Sequence, residues 1–522
     1  MLIDKETKYD RQLRLWASTG QSKLENSHIC LINATATGCE IIKNLVLPGI
    51  GAFTIIDDKK VTISDLSGNF FLTDSDIGKD LATAAKENLN EMNYEVKGYD
   101  IIKSIDSILN SEEDDDVSLW DTFNVVIVSD YCCQLDKLKQ LLWNKKIPLL
   151  IVNTIGFYGS LNLISHETTV IETHQSNKLY DLRIDKPWHE LAQLVENTDL
   201  DSFNDIDHAH VPSIVIHIKA LNAWKRDHDN KPPKTRDERL DFKKHYITTL
   251  SRNINLEGNF IEALDSFHRA LRPTEIPYSL QELFNNNQIF DENLNLSTPI
   301  FWIYIKALKN FVDQNDGLLP LPGSLPDMES DTESFISLKS IYREKAIQDQ
   351  TLFYEEVIKM LRSLGRYDDE ISKDSITTFC KNAQSLHVSY GSDKLYDSSL
   401  LQELLSPSPD QTLVNVYFSI LAFNTFITEF GKSPSATNIE DFTKIFKNSF
   451  GIKEDALSSS LKETIQELLA HSSRSYHNLS SLMGGIASQE VLKLTTAQYI
   501  PLDNVFVFDG IHSSSNKWKI NS

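Results

Sequence analysis

Two rhythms of apolar residues run along this chain. Close to the N-terminus, His28-Ile29-Cys30-Leu31-Ile32-Asn33 and Ala52-Phe53-Thr54-Ile55-Ile56 are short, nearly unbroken apolar runs, the second ending at Asp57. Runs of that length without polar alternation predict parallel strands covered on both faces. Between them, residues 39–47 place Ile41, Ile42, Leu45 and Val46 at helical spacing, which predicts a helix with those side chains turned inward. Strand, turn, helix and strand make a βαβ unit of the nucleotide-binding type. Further strands are predicted at 124–129, 148–152 and 160–164, and the run at 505–509 reads as a late strand of the same sheet. Within the long middle region the rhythm changes: 214–224, 301–311, 335–364 and 414–430 repeat apolar residues every three or four positions. The expected organisation is α/β: a Rossmann-like domain begins in 1–178, a mostly helical insertion of one or two lobes covers 179–477, and 478–522 completes the first domain.

The turn after the first strand bears on chemistry. A turn that cradles a di- or triphosphate needs glycines, so that backbone N–H groups can close on the anion without Cβ atoms in the way. Here it reads Asn33-Ala34-Thr35-Ala36-Thr37-Gly38 and keeps only the last glycine of a Gly-x-Gly-x-x-Gly pattern, the one that serves helix–strand packing. The expectation is a turn that preserves the fold without binding a cofactor. Near the C-terminus, Gly484-Gly485 reads as the opening of an amphipathic helix over 486–494, where glycine permits close backbone approach to the sheet or to a partner.

Composition narrows the function classes. The formal net charge of −23, from 51 Lys plus Arg against 74 Asp plus Glu, disfavours nucleic acid or an anionic membrane as the main partner. The N-terminus has no apolar core of the secretory kind, and no uninterrupted apolar stretch reaches the roughly 18–20 residues of a membrane span. A soluble chain inside the cell, cytoplasmic or nuclear, is expected. Cys30, Cys39, Cys132, Cys133 and Cys380 are scattered and read as reduced thiols. His208 and His210 form a His-x-His pair beside Asp205 and Asp207, but no second ligand cluster completes a zinc site, so a polar loop leading into a helix is expected. Three polar stretches stand out: the acidic run at 111–116, a charged turn over 225–236, and the Pro-, Gly- and acid-rich segment 317–334. The last is long for a structureless connector, and is expected either to move or to be held against a surface.

Several motifs carry a resemblance. They are Tyr9-Asp10-Arg11-Gln12-Leu13-Arg14-Leu15-Trp16, the strand and turn over 30–38, Lys43-Asn44-Leu45-Val46-Leu47-Pro48-Gly49-Ile50-Gly51 and Gly68-Asn69-Phe70-Phe71-Leu72. Further along come Asp181-Leu182-Arg183-Ile184-Asp185-Lys186-Pro187, Pro326-Asp327-Met328, Tyr342-Arg343-Glu344-Lys345-Ala346 and the run 484–491. Over essentially the whole chain these resemble the regulatory subunits of heterodimeric neddylation activating enzymes, within the ubiquitin-activating, ThiF/MoeB-like adenylation superfamily. The first motif marks only the superfamily, whereas the turn and the Lys43 to Gly51 run separate these subunits from their relatives.

The resemblance implies a ThiF/MoeB-type fold and a noncatalytic chain that works with a cysteine-bearing catalytic partner. The pair would adenylate a Nedd8/Rub-type ubiquitin-like modifier at its C-terminal glycine and pass it to the partner's cysteine as a thioester, before transfer to a conjugating enzyme. ATP and Mg would sit in the partner's site. Arg11 matches an arginine that reaches from one half of the dimer into the ATP site of the other, a task suited to a planar, permanently charged fork. Read without the resemblance, Arg11 is a helix arginine bonded to a carboxylate such as Asp10. Pro326, Asp327 and Met328 match a segment that helps dock the catalytic partner, and His210 falls on the side that faces it.

Departures from the catalytic pattern point the same way. In catalytic halves an acid after the second strand is followed by an Asn-Arg-Gln-Phe motif; here Asp57 and Asp58 are followed by Gly68-Asn69-Phe70-Phe71, without the arginine. Lys79 reads as a solvated surface lysine, and Cys380, the one cysteine within the expected insertion, as a small buried hydrophobe. Two other readings make different predictions. The equivalent subunit for the sumoylation modifier would need a smaller insertion. A free-standing nucleotide- or dinucleotide-dependent Rossmann enzyme would bind ATP or NAD in the isolated chain.

Overall fold

A computed structural model describes residues 5–111, 118–174, 180–404, 411–450 and 458–521; the acidic run from residue 112 onward lies outside them. The chain divides into two compact units, Met1–Val170 with Val388–Ser522, and Ile171–His387.

The first unit is built on a sheet whose strands are β1 (His28–Ile32), β2 (Ala52–Ile56), β3 (Lys97–Ile101), β4 (Val125–Ser129), β5 (Leu149–Ile155) and β6 (Tyr158–Ile164). Two short strands, β7 (Thr168–Val170) and β8 (His387–Ser389), form a separate ribbon, and β9 (Val505–Asp509) and β10 (Ser514–Trp518) return to the main sheet. Its order is β10-β9-β6-β5-β4-β1-β2-β3. β1 lies parallel to β2 and β4, with Leu31 opposite Ile55 and Ile127, whereas β6, β9 and β10 extend the sheet antiparallel. The unbroken apolar runs are the central strands, buried on both faces. β3 and β10, which the apolar pattern does not announce, are the two edge strands; half-solvated edges carry polar and charged residues.

The helix Ala36–Val46 buries Ile41, Ile42, Leu45 and Val46 as expected and packs against the helix His477–Thr496. Here one expectation is corrected. Gly484 and Gly485 sit in the interior of that 20-residue helix, not at its start. A Cβ on Gly484 would lie 2.6 Å from the Cβ of Glu40, so this glycine sets how closely the two helices approach, while Gly485 has nothing within 4 Å. A helix-interior glycine costs about 1 kcal/mol against alanine, and at Gly484 the close helix contact offsets it.

The expected limits of the insertion also differ from the observed units. The second unit ends at His387, and residues 388–477 belong to the first. The helix Thr412–Phe430 lays Val416, Tyr417 and Ile420 against Tyr158, Val505 and Val507 of the sheet, and Asn162 Nδ2 donates to Tyr417 Oη at 2.9 Å. It is long and apolar enough to cross a membrane by composition, and most of it is buried. Helical periodicity specifies that an apolar face is covered, not which body covers it.

The second unit is mostly helical. Its core joins Ile214, Val215, Ile218 and Leu221 of the helix Ser213–Asp227 to Leu338 and Tyr342 of the long helix Thr332–Ser363. The segment 317–334 is held within this unit: Leu319 and Leu321 are buried, Leu321 N donates to Asp349 Oδ2 at 2.9 Å, and Lys345 pairs with the same carboxylate.

Candidate functional site

Arg11 lies in the first turn of the helix Asp10–Glu25, two residues after Tyr9. The Tyr9 ring is buried; its hydroxyl donates to Glu95 Oε2 at 2.9 Å and accepts from Asn93 Nδ2 at 3.1 Å. Gly49, with φ of 88°, passes so near this ring that a Cβ would meet the hydroxyl oxygen at 2.6 Å. The tyrosine of the first motif and the Pro-Gly-Ile-Gly of the third are thus two sides of one contact. Arg14, not Arg11, takes the Asp10 carboxylate, at 3.1 Å. The Arg11 side chain is exposed and makes no hydrogen bond or ion pair among the described residues.

The turn after β1 is closed on itself. Asn33 adopts φ of 66°, a left-handed conformation that asparagine tolerates, and its Nδ2 donates to the carbonyls of Ser129 and Tyr131 at 3.1 and 3.0 Å. Ala34 N donates to Asp57 Oδ2 at 2.9 Å, and the other oxygen of that buried carboxylate accepts from Lys59 N. Thr35 caps the helix by accepting from Gly38 N at 3.2 Å, and Thr37 Oγ1 bonds Thr154 Oγ1 at 2.8 Å. A Cβ on Gly38 would lie 2.9 Å from the Asn33 carbonyl oxygen and from the Leu31 side chain, the helix–strand packing role expected of it. Asn69, from the motif lacking its arginine, is buried with Nδ2 3.4 Å from Ala34 O. Ala34 N and Gly38 N, two of the donors in this turn, are thus engaged by protein oxygens. Ala34, Thr35 and Ala36 stand where a phosphate-binding turn carries glycines that let its backbone close on the anion.

One acid here escaped the sequence reading. Asp130 follows β4 as Asp57 follows β2, and accepts from Thr154 N at 2.8 Å and Thr154 Oγ1 at 3.2 Å. Burial pushes its carboxyl up to about 6, against these hydrogen bonds and the charge of Lys59. An acid placed directly after an apolar strand was the available signal. Lys79 donates to Asp76 Oδ1 at 2.8 Å.

None of the thiols resembles an activated nucleophile. Cys30, Cys39, Cys132 and Cys380 are buried, and burial pushes all four up, Cys39 and Cys132 to about 12. Cys133 is exposed, and partial burial with nearby Asp106 and Asp58 raises it as well. The two histidines diverge. His208 is buried against Glu257 at 2.5 Å, and exposed His210 bonds the Ile206 carbonyl.

The residues expected to face a partner are brought near one another through one helix. Asn259, in Gly258–Asp265, donates to the carbonyls of His208 and Val211 at 3.0 Å. Glu262 on the same helix accepts from Ser213 Oγ at 3.1 Å and from Glu329 N at 2.6 Å. That carboxylate ties the strand of chain after His210 to the segment of Pro326, Asp327 and Met328. Pro326 is buried, Met328 packs partly onto the core of this unit, and Asp327 and His210 are exposed.

Sheet order and the βαβ unit with its turn after β1 define an α/β chain of the adenylation type. The ThiF family model matches residues 9–522. The chain is 37% identical over 536 residues to the NEDD8-activating enzyme E1 regulatory subunit of Danio rerio, covering 99% of each. It is 36% identical to that of Gallus gallus, covering 99% of this chain and 98% of the relative, and 34% identical to that of Drosophila melanogaster with the same coverage. This chain belongs to the ThiF family and, within it, to the NEDD8-activating enzyme E1 regulatory subunits.

Proposed function

We propose that this chain is the regulatory half of a two-subunit activating enzyme for a NEDD8-type ubiquitin-like modifier. The catalytic subunit supplies the ATP and Mg site and the cysteine that receives the modifier as a thioester, and hands it to a conjugating enzyme. This chain supplies Arg11, half of the adenylation dimer, and a docking surface that includes His210, Pro326, Asp327 and Met328. It works in the cytoplasm or nucleus and engages neither nucleic acid nor membrane.

The observation that best supports this reading is the contrast between two neighbouring features. Two of the turn's donors, Ala34 N and Gly38 N, are taken by Asp57 and Thr35, while Arg11 is left with no partner on its own chain among the described residues. An exposed guanidinium two residues after an anchored, buried tyrosine is available to complete a site elsewhere.

The test is modifier-dependent ATP–pyrophosphate exchange by this chain, by its catalytic partner, and by the mixture. Exchange only in the mixture is expected. Exchange by this chain alone would overturn the reading and make the turn over 33–38 a working phosphate site.

A further inference from the structure

We propose that the second unit carries a receptor site for an acidic side chain of a partner polypeptide, in the cavity between residues 180–184 and 268–277. The cavity measures about 210 Å³, enough for one side-chain-sized group, and is lined by Asp181, Arg183, His268, Arg269, Arg272 and Glu275. Neither the adenylation chemistry nor the expected docking segment uses these residues.

The floor is a built site. Arg183 is 4% exposed and holds φ of 50°. Its Nε donates to both oxygens of buried Asp181, at 3.0 and 2.9 Å, and Nη2 donates to Leu319 O. Asp181 and Arg183 therefore cancel, and the rim sets the charge of the cavity. There Arg269, Arg272 and His268 face a single carboxylate, Glu275, and the Arg269 and Arg272 side chains make no hydrogen bond or ion pair among the described residues. A chain of net charge −23 has left two guanidinium groups uncompensated at one opening. His217, fully buried with Nδ1 unpartnered, is pushed down to about 4 by burial, with the charges of Arg269 and His268 adding to the effect.

The loop is fixed before any ligand arrives. Thr274 N and Oγ1 both donate to Asp185, at 2.8 and 2.5 Å, and Lys186 Nζ donates to Thr274 O at 3.1 Å. Pre-ordered cations lose little freedom on binding, and planar forks match a carboxylate. Pro273 and Pro277 give the opening apolar shoulders that suit a polypeptide main chain rather than a free ion. The overall negative charge also works against non-specific capture of acidic peptides, so such binding would report this cavity.

The experiment measures fluorescence anisotropy of a labelled octaglutamate peptide with the full-length chain, alone and with its catalytic partner, with inorganic phosphate as competitor. Saturable binding is expected, weakened about tenfold or more in an Arg269→Gln/Arg272→Gln variant and unchanged in Lys462→Gln, an exposed cation of the first unit. Should the double variant fold poorly by thermal unfolding, Arg272→Gln alone, altering an exposed side chain, is expected to weaken binding about threefold. Absence of saturable binding, wild-type affinity in the folded variants, or displacement by equimolar phosphate would each overturn the proposal. The result is independent of the exchange assay, so the two readings stand or fall separately.

Discussion

Arg11→Ala separates a subunit that completes a partner's site from one that only holds it in place. The structure fixes both sides of the comparison. On the stability side, the Arg11 side chain is exposed and without a partner among the described residues, and arginine and alanine are both good helix formers, so unfolding free energy should change by no more than about 0.5 kcal/mol. On the activity side, a guanidinium reaching a phosphate makes charge-assisted bonds worth about 1.5–3 kcal/mol. At about 1.4 kcal/mol per decade, adenylate formation by the assembled pair should slow roughly ten- to 150-fold. The assay is the initial rate of modifier-dependent ATP–pyrophosphate exchange, with size-exclusion chromatography to establish that the heterodimer forms. Arg14→Ala is the matched control, because the Arg14–Asp10 pair is exposed on both sides, 77% and 53%, and such pairs contribute little. Arg11→Lys keeps the charge and loses the fork, and should fall between. An Arg11→Ala heterodimer that assembles and exchanges within about twofold of wild type would refute the reasoning and leave this chain a scaffold.

Two further predictions concern the frame. Gly484→Ala should lower stability by about 1–3 kcal/mol through overpacking against Glu40, while Gly485→Ala, with nothing within 4 Å, should raise it by about 0.5–1 kcal/mol; equal effects in urea unfolding would show that the helix contact is not what the first glycine serves. Asp130 has a folded pKa raised by burial to about 6 from about 3.9 unfolded, so the native state holds the extra proton between those values, and the wild type loses stability as pH rises through the window. The stability of Asp130→Asn relative to wild type should therefore climb by about 1–2 kcal/mol from pH ~4 to ~6.5 and then level off, and a flat difference across the window would show the carboxylate to be well solvated.

The central strands and the helix after the first strand were legible because burial on both faces leaves runs with no polar interruption. The edge strands were not: Lys97-Gly98-Tyr99-Asp100-Ile101 and Ser514-Ser515-Asn516-Lys517-Trp518 face water along one edge and read like loop. The limits of the insertion failed for a different reason. Thr412–Phe430 is helical in pattern and in fact, but its partners Tyr158, Val505 and Val507 lie far away in the sequence, and no local pattern records them. At the site, the missing glycines announced that the turn differs, whereas its closure by Asp57 and by the Asn33 amide depends on β2 and β4 lying beside β1. The Asp10 partner expected for Arg11 went to Arg14 because i and i+4 meet on a helix surface, while adjacent residues point apart.

The bonds within the turn after β1 also fix the helix that follows it. A buried backbone N–H left without a partner at such a turn costs about 1–3 kcal/mol. Asp57 satisfies Ala34 N, and Thr35 satisfies Gly38 N, so the start of the helix Ala36–Val46 is fixed without a ligand. The far end of that helix is tied as firmly. Asn93 Nδ2 bonds both the Val46 carbonyl, at 2.9 Å, and the Tyr9 hydroxyl, at 3.1 Å. One side chain therefore joins the helix that leaves the closed turn to the residue two positions before Arg11. The turn after β1 is thereby tied through this helix to the position of Arg11, and on the proposed reading that link sets how the arginine is presented to the partner's site.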